Sequence, residues 1–269
     1  MRQKSFLKWP GNKRQLLDPI RKLLPEGKRF IESFVGSGVV FLNVDYPKKI
    51  VADSNSILIN LYQTLMKHGE TFIEYAETFF NKENNTKHRY YAHRELFNST
   101  EDPNLKSALF LYLNRHGYNG LCRYNKKGGY NVPFGKYKTV NFPLWEIREF
   151  RKLNQDVKIK CCDFRDLFNK AQEGDVIYCD PPYVPLKEND RITQFTPTLF
   201  DDSDHISLAE YARKAAQNGI KVLISNHDTK FTRKIYKGAK IKKLQATRYI
   251  SCKGDGRGKV KEIMAFFEE

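Results

Sequence analysis

The nine residues Asp175–Tyr183, DVIYCDPPY, constrain this chain more than any other stretch. Val176–Cys179 is a short apolar run with β-branched and aromatic members, which predicts a buried strand. The run stops at Asp180, Pro181, Pro182 and Tyr183. Neither proline has an N–H to offer a ladder, so the chain must leave the sheet there. The turn then presents a carboxylate, stiff backbone carbonyls and an aromatic ring together. That set suits a flat base held by its exocyclic amine: oxygen acceptors take the amine hydrogens while the ring stacks on the base face. Alone, the tetrapeptide is equally compatible with a plain strand end and a core tyrosine.

Charge narrows the class of partner. Lys and Arg number 47 against 31 Asp and Glu, a net charge of +16. Such an excess favours a polyanion, nucleic acid before an anionic membrane. From Pro103 to Trp145 there is no Asp or Glu, while Lys106, Arg115, Arg123, Lys126, Lys127, Lys136 and Lys138 alternate with five tyrosines. Cations and aromatics without countercharge suit a surface that tracks phosphates. A second basic run, Lys230 to Lys261, holds Asp255 as its one acid. Apolar residues make up 40% of the chain, enough for a sizeable core, and no apolar stretch approaches a membrane span. The N-terminal residues are too polar for a signal peptide. The five cysteines form no CxxC pair and the six histidines no metal spacing, so neither a disulfide framework, a metal site nor a secreted protein is expected. No segment calls for a protein partner, and a cytoplasmic monomer is the expectation.

The order of elements predicts a doubly wound α/β sheet with an insert. Arg29–Phe34 reads as a strand, Val39–Val44 as the start of a helix, Lys49–Ala52 as the next strand ending at Asp53, and Ile57–Lys67 as a helix. Phe72–Phe80, Tyr90–Phe97 and Leu105–Leu113 have helical spacing. Leu121–Asn125 and Tyr130–Pro133 flank Lys126-Lys127-Gly128-Gly129 in the manner of a β-hairpin. The α/β pattern resumes with strands at Val157–Cys161, Asp175–Cys179 and Lys221–Ser225. A helix at Ser203–Gln217 would be capped by Ser203 and ended by Gly219. Ile241–Ile250 and Val260–Phe267 read as a closing antiparallel pair. The expected division is a catalytic domain from residues 1–54 and 146–269, with an inserted target-recognition domain over 55–145. The polar segment from Val184 to Pro197 follows the proline turn directly, where a mobile lid would sit.

Phe34-Val35-Gly36-Ser37-Gly38 lets a ligand approach the backbone closely. It lacks a full GxGxxG, so a pyrophosphate is not favoured. Asp53, seventeen positions after Gly36, lies at a strand end where an acid takes ribose hydroxyls. The glycine segment alone could equally be a plain turn. With Asp53 it points to an adenosine-type ligand without phosphates, and S-adenosylmethionine meets that description. Lys8-Trp9-Pro10-Gly11-Asn12-Lys13 sets an aromatic and two cations around a turn, and could also be a helix start with a core tryptophan.

The ordered set KWPGNK, FVGSG, LFLYLNRHGYNGLCRYNKKGGYNVPFGKY and DPPY closely resembles the Dam-type DNA adenine-N6 methyltransferases, over nearly the whole chain. The resemblance implies a Rossmann-like S-adenosylmethionine-dependent sheet with an inserted helical recognition subdomain, and methyl transfer to a flipped adenine in duplex DNA, usually within GATC. It implies that Trp9, Lys13 and Asp53 contact the cofactor, that Phe34, Gly36 and Gly38 line it, and that Asp163 and Phe164 hold its adenine. Asp180 would lie between cofactor and target, with Pro181, Pro182 and Tyr183 completing the catalytic turn. Lys8, Arg123 and the Gly117–Tyr137 segment would face DNA, with Tyr118 and Asn119 near the gap left by the base. Leu121 and Pro133 would meet a thymine methyl, Lys126 and Lys127 phosphates, and Tyr137 the same surface. The same turns and basic segment are also compatible with RNA adenine methylation or with a catalytically silent DNA-binding protein. The Ser251–Lys259 flank matches the family pattern only loosely and is given no role.

Overall fold

Five parallel strands form the centre of the molecule, and helices cover both sides of the sheet. The computed structural model describes residues 2–125, 127–186, 200–247 and 258–269. Strands β1 (Arg29–Glu32), β2 (Lys49–Asp53), β3 (Lys158–Cys161), β4 (Asp175–Cys179), β5 (Lys221–His227), β6 (Lys240–Thr247) and β7 (Lys259–Phe267) form one sheet in the order β3-β2-β1-β4-β5-β7-β6. β7 enters antiparallel between β5 and β6. This is a Rossmann-like sheet. Its strand order reverses between β1 and β4, which pair in parallel with Phe30 opposite Val176 and Ile31 opposite Ile177. A crevice therefore opens beyond the carboxyl ends of those two strands, the usual ligand position in such a sheet.

Side chains alternate between the two faces. Phe30, Val51, Tyr178, Leu223 and Met264 join one core cluster, while Ile31, Ile50, Ile177, Ile224 and Ile263 join the other. The second face is covered by α7 (Phe164–Phe168), α8 (Asp202–Ala216) and α9 (Lys230–Ile235). α8 turns Leu208, Ala209 and Ala212 inward, and its small side chains let the helix lie close to the sheet. The first face receives α1 (Leu17–Leu23), α2 (Ser56–His68) and α6 (Leu144–Leu153). Its cluster continues without a break into α3 (Glu70–Glu77), α4 (Lys87–Ser99) and α5 (Pro103–His116), through Phe72, Phe97 and Phe110. α2 packs on β2 and β3 as well as on α5, so it is shared by the sheet and the helices that follow. Asn55 caps α2 by accepting from the amides of Ile57 and Leu58, both at 3.1 Å.

Three local expectations are corrected. Val39–Val44 does not start an α-helix; a 3₁₀ turn at Phe41–Asn43 stands there. Asn43 Nδ2 donates to Val39 C=O at 2.8 Å, the carbonyl that an α-helical Asn43 N–H would have reached, and the Asn43 N–H bonds Val40 C=O at 2.9 Å instead. Ser203 is not the cap of α8. Asp201 accepts from the amides of Ser203 and Asp204 and completes a capping box with Asp204, because a carboxylate is the stronger acceptor. The segments Leu121–Asn125 and Tyr130–Pro133 approach antiparallel but make isolated bridges, Tyr124 with Tyr130 and Gly117 with Phe134, rather than a ladder. Cross-arm backbone bonds run from Asn125 N–H to Gly129 C=O at 2.8 Å and from Asn131 N–H to Arg123 C=O at 3.1 Å, and side-chain amides take further backbone groups. Asn98 accepts from Tyr130 N–H at 2.8 Å and donates to Tyr130 C=O at 3.1 Å, and Asn125 Oδ1 accepts from the amides of Lys127 and Gly129, both at 2.9 Å. Most of the segment from Val184 to Pro197, and of Ser251–Lys259, lies outside the described residues, as does Lys126.

Candidate active site

The glycine loop after β1 is fixed from three sides. Val35 N–H reaches Ala52 C=O on β2 at 2.9 Å, Gly36 N–H donates to Asp53 Oδ2 at 3.0 Å, and the Tyr62 hydroxyl donates to Gly36 C=O at 2.7 Å. Gly36 has φ +45°, and a Cβ on it would lie 2.9 Å from Trp9 Nε1. Trp9 therefore sits directly over the loop, and glycine is needed both for the backbone angle and for this approach. Gly38 closes the turn through its N–H to Val35 C=O at 2.7 Å and packs on Phe41. Asp53 Oδ1 accepts from Asn55 N–H at 3.0 Å. Burial raises the Asp53 carboxyl above the ordinary range, opposed by the amides of Asn55, Gly36 and Ser54. Each Asp53 oxygen retains acceptor capacity for a hydroxyl.

Across the crevice, Asp180 leaves β4 at its carboxyl end. Lys13 Nζ lies 2.9 Å from Asp180 Oδ1, and the Ser225 hydroxyl donates to the same oxygen at 2.8 Å. Lys13, on a 3₁₀ turn capped by Asn12, is almost fully buried and also donates to Gly11 C=O at 2.8 Å. Its ammonium stands 4.5 Å from the centre of the Tyr183 ring. The structure thus pairs Lys13 with the Asp180–Tyr183 turn. The Tyr183 ring is held at both ends: its hydroxyl donates to Glu262 Oε2 at 2.8 Å, and the His227 ring meets it edge-on at 4.8 Å. Pro181 is buried and Pro182 half-buried. Val184 N–H donates to Asn226 Oδ1 at 3.1 Å, and His227 Nδ1 donates to Val184 C=O at 2.7 Å, so β5 fastens the strand exit. Burial, then the charges of Asp180 and Glu262, hold the Tyr183 phenol well above its ordinary pKa.

Glu32, Ser225, Asn226, His227 and Glu262 were not singled out in the sequence. Glu32 is the most instructive. It ends β1, is 2% exposed, and accepts from Phe41 N–H. Burial raises its carboxyl well above the ordinary range, and the nearby charges of Asp180 and Asp53 add to this. Moving a carboxylate out of water costs several kcal/mol, more than one N–H donor returns (about 1–3 kcal/mol). Burial therefore favours the neutral form of Glu32 in the folded protein. The signal for it was its place: the last strand residue before the glycine loop, on the face of Phe30.

An aromatic group closes one end of the crevice. Phe34 lies 5.7 Å from Phe164 and 5.5 Å from Phe200 between ring centres, and Phe34 and Phe200 are half-buried. Asp163 caps α7 through Arg165 N–H and pairs with the Arg165 guanidinium at 3.1 Å, leaving its carboxylate about half exposed. Phe164 is buried beneath these groups.

The basic segment forms a second, exposed surface. Asn114 clamps the backbone of Lys8, accepting from its N–H at 2.9 Å and donating to its C=O at 2.7 Å. Lys8 Nζ then lies 4.1 Å over the Tyr137 ring and donates to Arg115 C=O at 3.0 Å. Burial and the neighbouring Arg115 lower the Lys8 ammonium to about 8. Gly120, with φ +62°, accepts the Lys8 side chain so closely that a Cβ would clash. Tyr118 is 47% exposed, and Asn119 has φ +52° with its N–H donating to the Tyr137 hydroxyl at 2.9 Å. Lys8, Tyr118, Asn119 and Tyr137 are thus brought together. Cys122 and Tyr124 point inward while Leu121, Arg123 and Asn125 point outward, as an extended segment requires. Arg123 donates Nε–H to Asn131 Oδ1 at 2.8 Å and Nη2–H to Asn131 C=O at 3.1 Å, so its guanidinium plane is held. Pro133 and Lys127 are exposed.

A family model of D12 class N6 adenine-specific DNA methyltransferases matches residues 9–250, spanning both surfaces. The chain belongs to this family. It is 45% identical over 267 residues to the DNA adenine methylase of Vibrio cholerae, covering 99% of this chain and 96% of that protein. It is 43% identical over 267 residues to the DNA adenine methylase of Escherichia coli strain K12, with the same coverage. This methyltransferase has, among its described residues, no helix long and apolar enough to cross a membrane.

The raised Glu32 carboxyl makes a prediction about stability. Its carboxyl titrates near the ordinary value when unfolded and well above it when folded. Folded protein therefore holds a proton that the unfolded chain has lost, and stability falls as pH rises above about 4.5 towards the raised folded value. Glu32→Gln keeps an acceptor for Phe41 N–H and removes this titration. Its melting temperature relative to wild type should rise steadily from pH 5 to pH 8. A difference that stays constant over that range would show that Glu32 is ionised in the folded protein.

Proposed function

We propose that this protein transfers a methyl group from S-adenosylmethionine to the N6 amine of an adenine flipped out of duplex DNA, within GATC. The observation that carries the reading is that the switch point sets the glycine loop and Asp53 on one side and Asp180 with Tyr183 on the other. The residues fit the cofactor. Gly36 admits a close ligand under Trp9, Asp53 offers acceptors for two ribose hydroxyls, and Phe34 with Phe164 offers an apolar wall for its adenine. When bound, the cofactor supplies a sulfonium-activated methyl group. Acidic Asp53 and Asp180 suit its positive charge.

The adenine amine is a poor nucleophile because its lone pair is delocalised into the ring. Asp180 and the Pro181 carbonyl would accept its hydrogens, draw the nitrogen towards tetrahedral geometry and stabilise the charge that develops on it. Tyr183 would stack on the base, its ring orientation set by Glu262 and His227. Lys13 already makes both contacts that the base needs, one to Asp180 and one to the Tyr183 face. Its ammonium must give them up as the base enters. Inside a duplex the amine is out of reach, so the base must leave the stack, and Tyr118, exposed at its turn, would fill the gap with Asn119.

In this reading residues 55–145 recognise the target and residues 1–54 with 146–269 perform the transfer. Arg123, its plane held by Asn131, would present its free N–H groups to a guanine in the major groove. Leu121 and Pro133 would meet a thymine methyl, and Lys127, with Lys126, would touch phosphate. Lys8 on Tyr137 adds a cation beside them. The enzyme would act on the DNA of a bacterial or phage-infected cell as a monomer. RNA is the competing substrate, and equal or better methylation of RNA would replace duplex DNA in this proposal.

DNA incubated with the protein and S-adenosylmethionine should become cleavable by a nuclease that requires methylated GATC. Asp180→Ala should lose turnover by about 100-fold or more while keeping DNA binding; near-normal turnover would make Asp180 structural. Asp53→Ala should weaken S-adenosylmethionine binding in calorimetry by about 1–3 kcal/mol, the cost of leaving buried partners unpaired. Unchanged affinity would remove Asp53 from the cofactor site. Arg123→Ala should cost about 1–3 kcal/mol on GATC and relax discrimination at one guanine. An equal loss on sites altered at each guanine would reduce Arg123 to a phosphate contact.

A further inference from the structure

Asp180 lies just beyond the last ladder position of β4 and is followed by two residues without an N–H. Its carboxylate must be oriented by side chains. Among the described residues, two donors reach it, and both choose Oδ1: Lys13 at 2.9 Å and Ser225 at 2.8 Å. They differ in kind. Lys13 is a long side chain from the N-terminal segment, placed where the incoming amine belongs. Ser225 is a short side chain on β5, fully buried, on a strand paired to its neighbours on both sides.

We infer that Ser225 is the permanent anchor of the catalytic carboxylate, a positioning residue that holds Asp180 while Lys13 is exchanged for substrate. The inference rests on the reading of Asp180 given above. The hydroxyl has one hydrogen to donate. Asp180 Oδ1 at 2.8 Å takes it in preference to Cys179 C=O at 3.3 Å, because the bond to a carboxylate is shorter and charge-assisted. With that hydrogen committed, Ser225 Oγ accepts from the Tyr178 hydroxyl, 3.2 Å away and itself fully buried. A chain of two hydroxyls thus runs from inside the sheet to Asp180 and fixes one of its oxygens. The second oxygen, Oδ2, is left for the amine. Alanine would satisfy the packing at this fully buried strand position, so the hydroxyl has a purpose other than filling space.

The test compares Ser225→Ala with Ser225→Cys, measuring kcat, KM for GATC duplex and for S-adenosylmethionine, and melting temperature. A misdirected carboxylate should lower kcat roughly tenfold to hundredfold, with both KM values within about twofold and melting shifted by only a few degrees. Cysteine restores the volume but is a weak donor, so Ser225→Cys should stay slow. Wild-type kcat in Ser225→Ala, recovery of kcat in Ser225→Cys, or a loss confined to KM would each overturn the inference. Asp180→Ala measured in parallel separates the two levels. If it is active, the reading of Asp180 itself fails. If it is inactive while Ser225→Ala is fully active, the anchor alone fails.

Discussion

The parallel pairing of β1 with β4 is the constraint on which the site depends. After β1 the chain passes to β2 on one side and after β4 to β5 on the other, so no crossover covers the gap beyond their ends. Everything chemical in the chain is delivered to that gap. The glycine loop continues β1, Asp53 ends the neighbouring β2, and Asp180 with its prolines continues β4. A register shift of one residue would turn Glu32 and Tyr178 to the opposite face and remove them from the polar cluster.

The crevice is rich in acid, and that has a cost which the fold meets in different ways. Asp53 receives backbone amides, Asp180 receives an ammonium and a hydroxyl, and burial shifts Glu32 towards its neutral form. The result is a site able to attract a cationic ligand and a nitrogen that becomes cationic, without two ionised carboxylates pressed together in the interior. Lys13 balances the charge from the N-terminal segment.

The basic segment from Gly117 to Tyr137 follows another rule. Its two arms share backbone hydrogen bonds, and asparagine side chains add to them: Asn98 of α4 at Tyr130, Asn125 at the turn, Asn114 at Lys8 and Asn131 at Arg123. Buried Cys122, Tyr124 and Tyr130 anchor it to the core from below. This arrangement leaves the outward side chains free of neighbouring strands, which suits insertion into a groove.

The strands, the helices α2 to α5 and α8, the glycine loop and proline turn at strand ends, and the basic, acid-free segment were legible in the sequence, whereas α1, α6, α7 and α9 were not. Each legible feature follows from local physics: apolar periodicity, the missing proline N–H and uncompensated charge. The helix expected over Val39–Val44 is cut short where the Asn43 side chain takes Val39 C=O, and the ladder expected around Lys126–Gly129 is limited where Asn125 Oδ1 takes the Gly129 amide. In both, a side chain captures a backbone group that local pattern had assigned to the ladder. Ser225 and Glu262 were illegible because they are ordinary residues in ordinary strands until β5 and β7 bring them against Asp180 and Tyr183. Composition and spacing determined which chemistry the chain carries and along which edge. Tertiary structure alone decided which groups touch, because a hydrogen bond of about 3 Å depends on packing between strands more than forty residues apart in the chain.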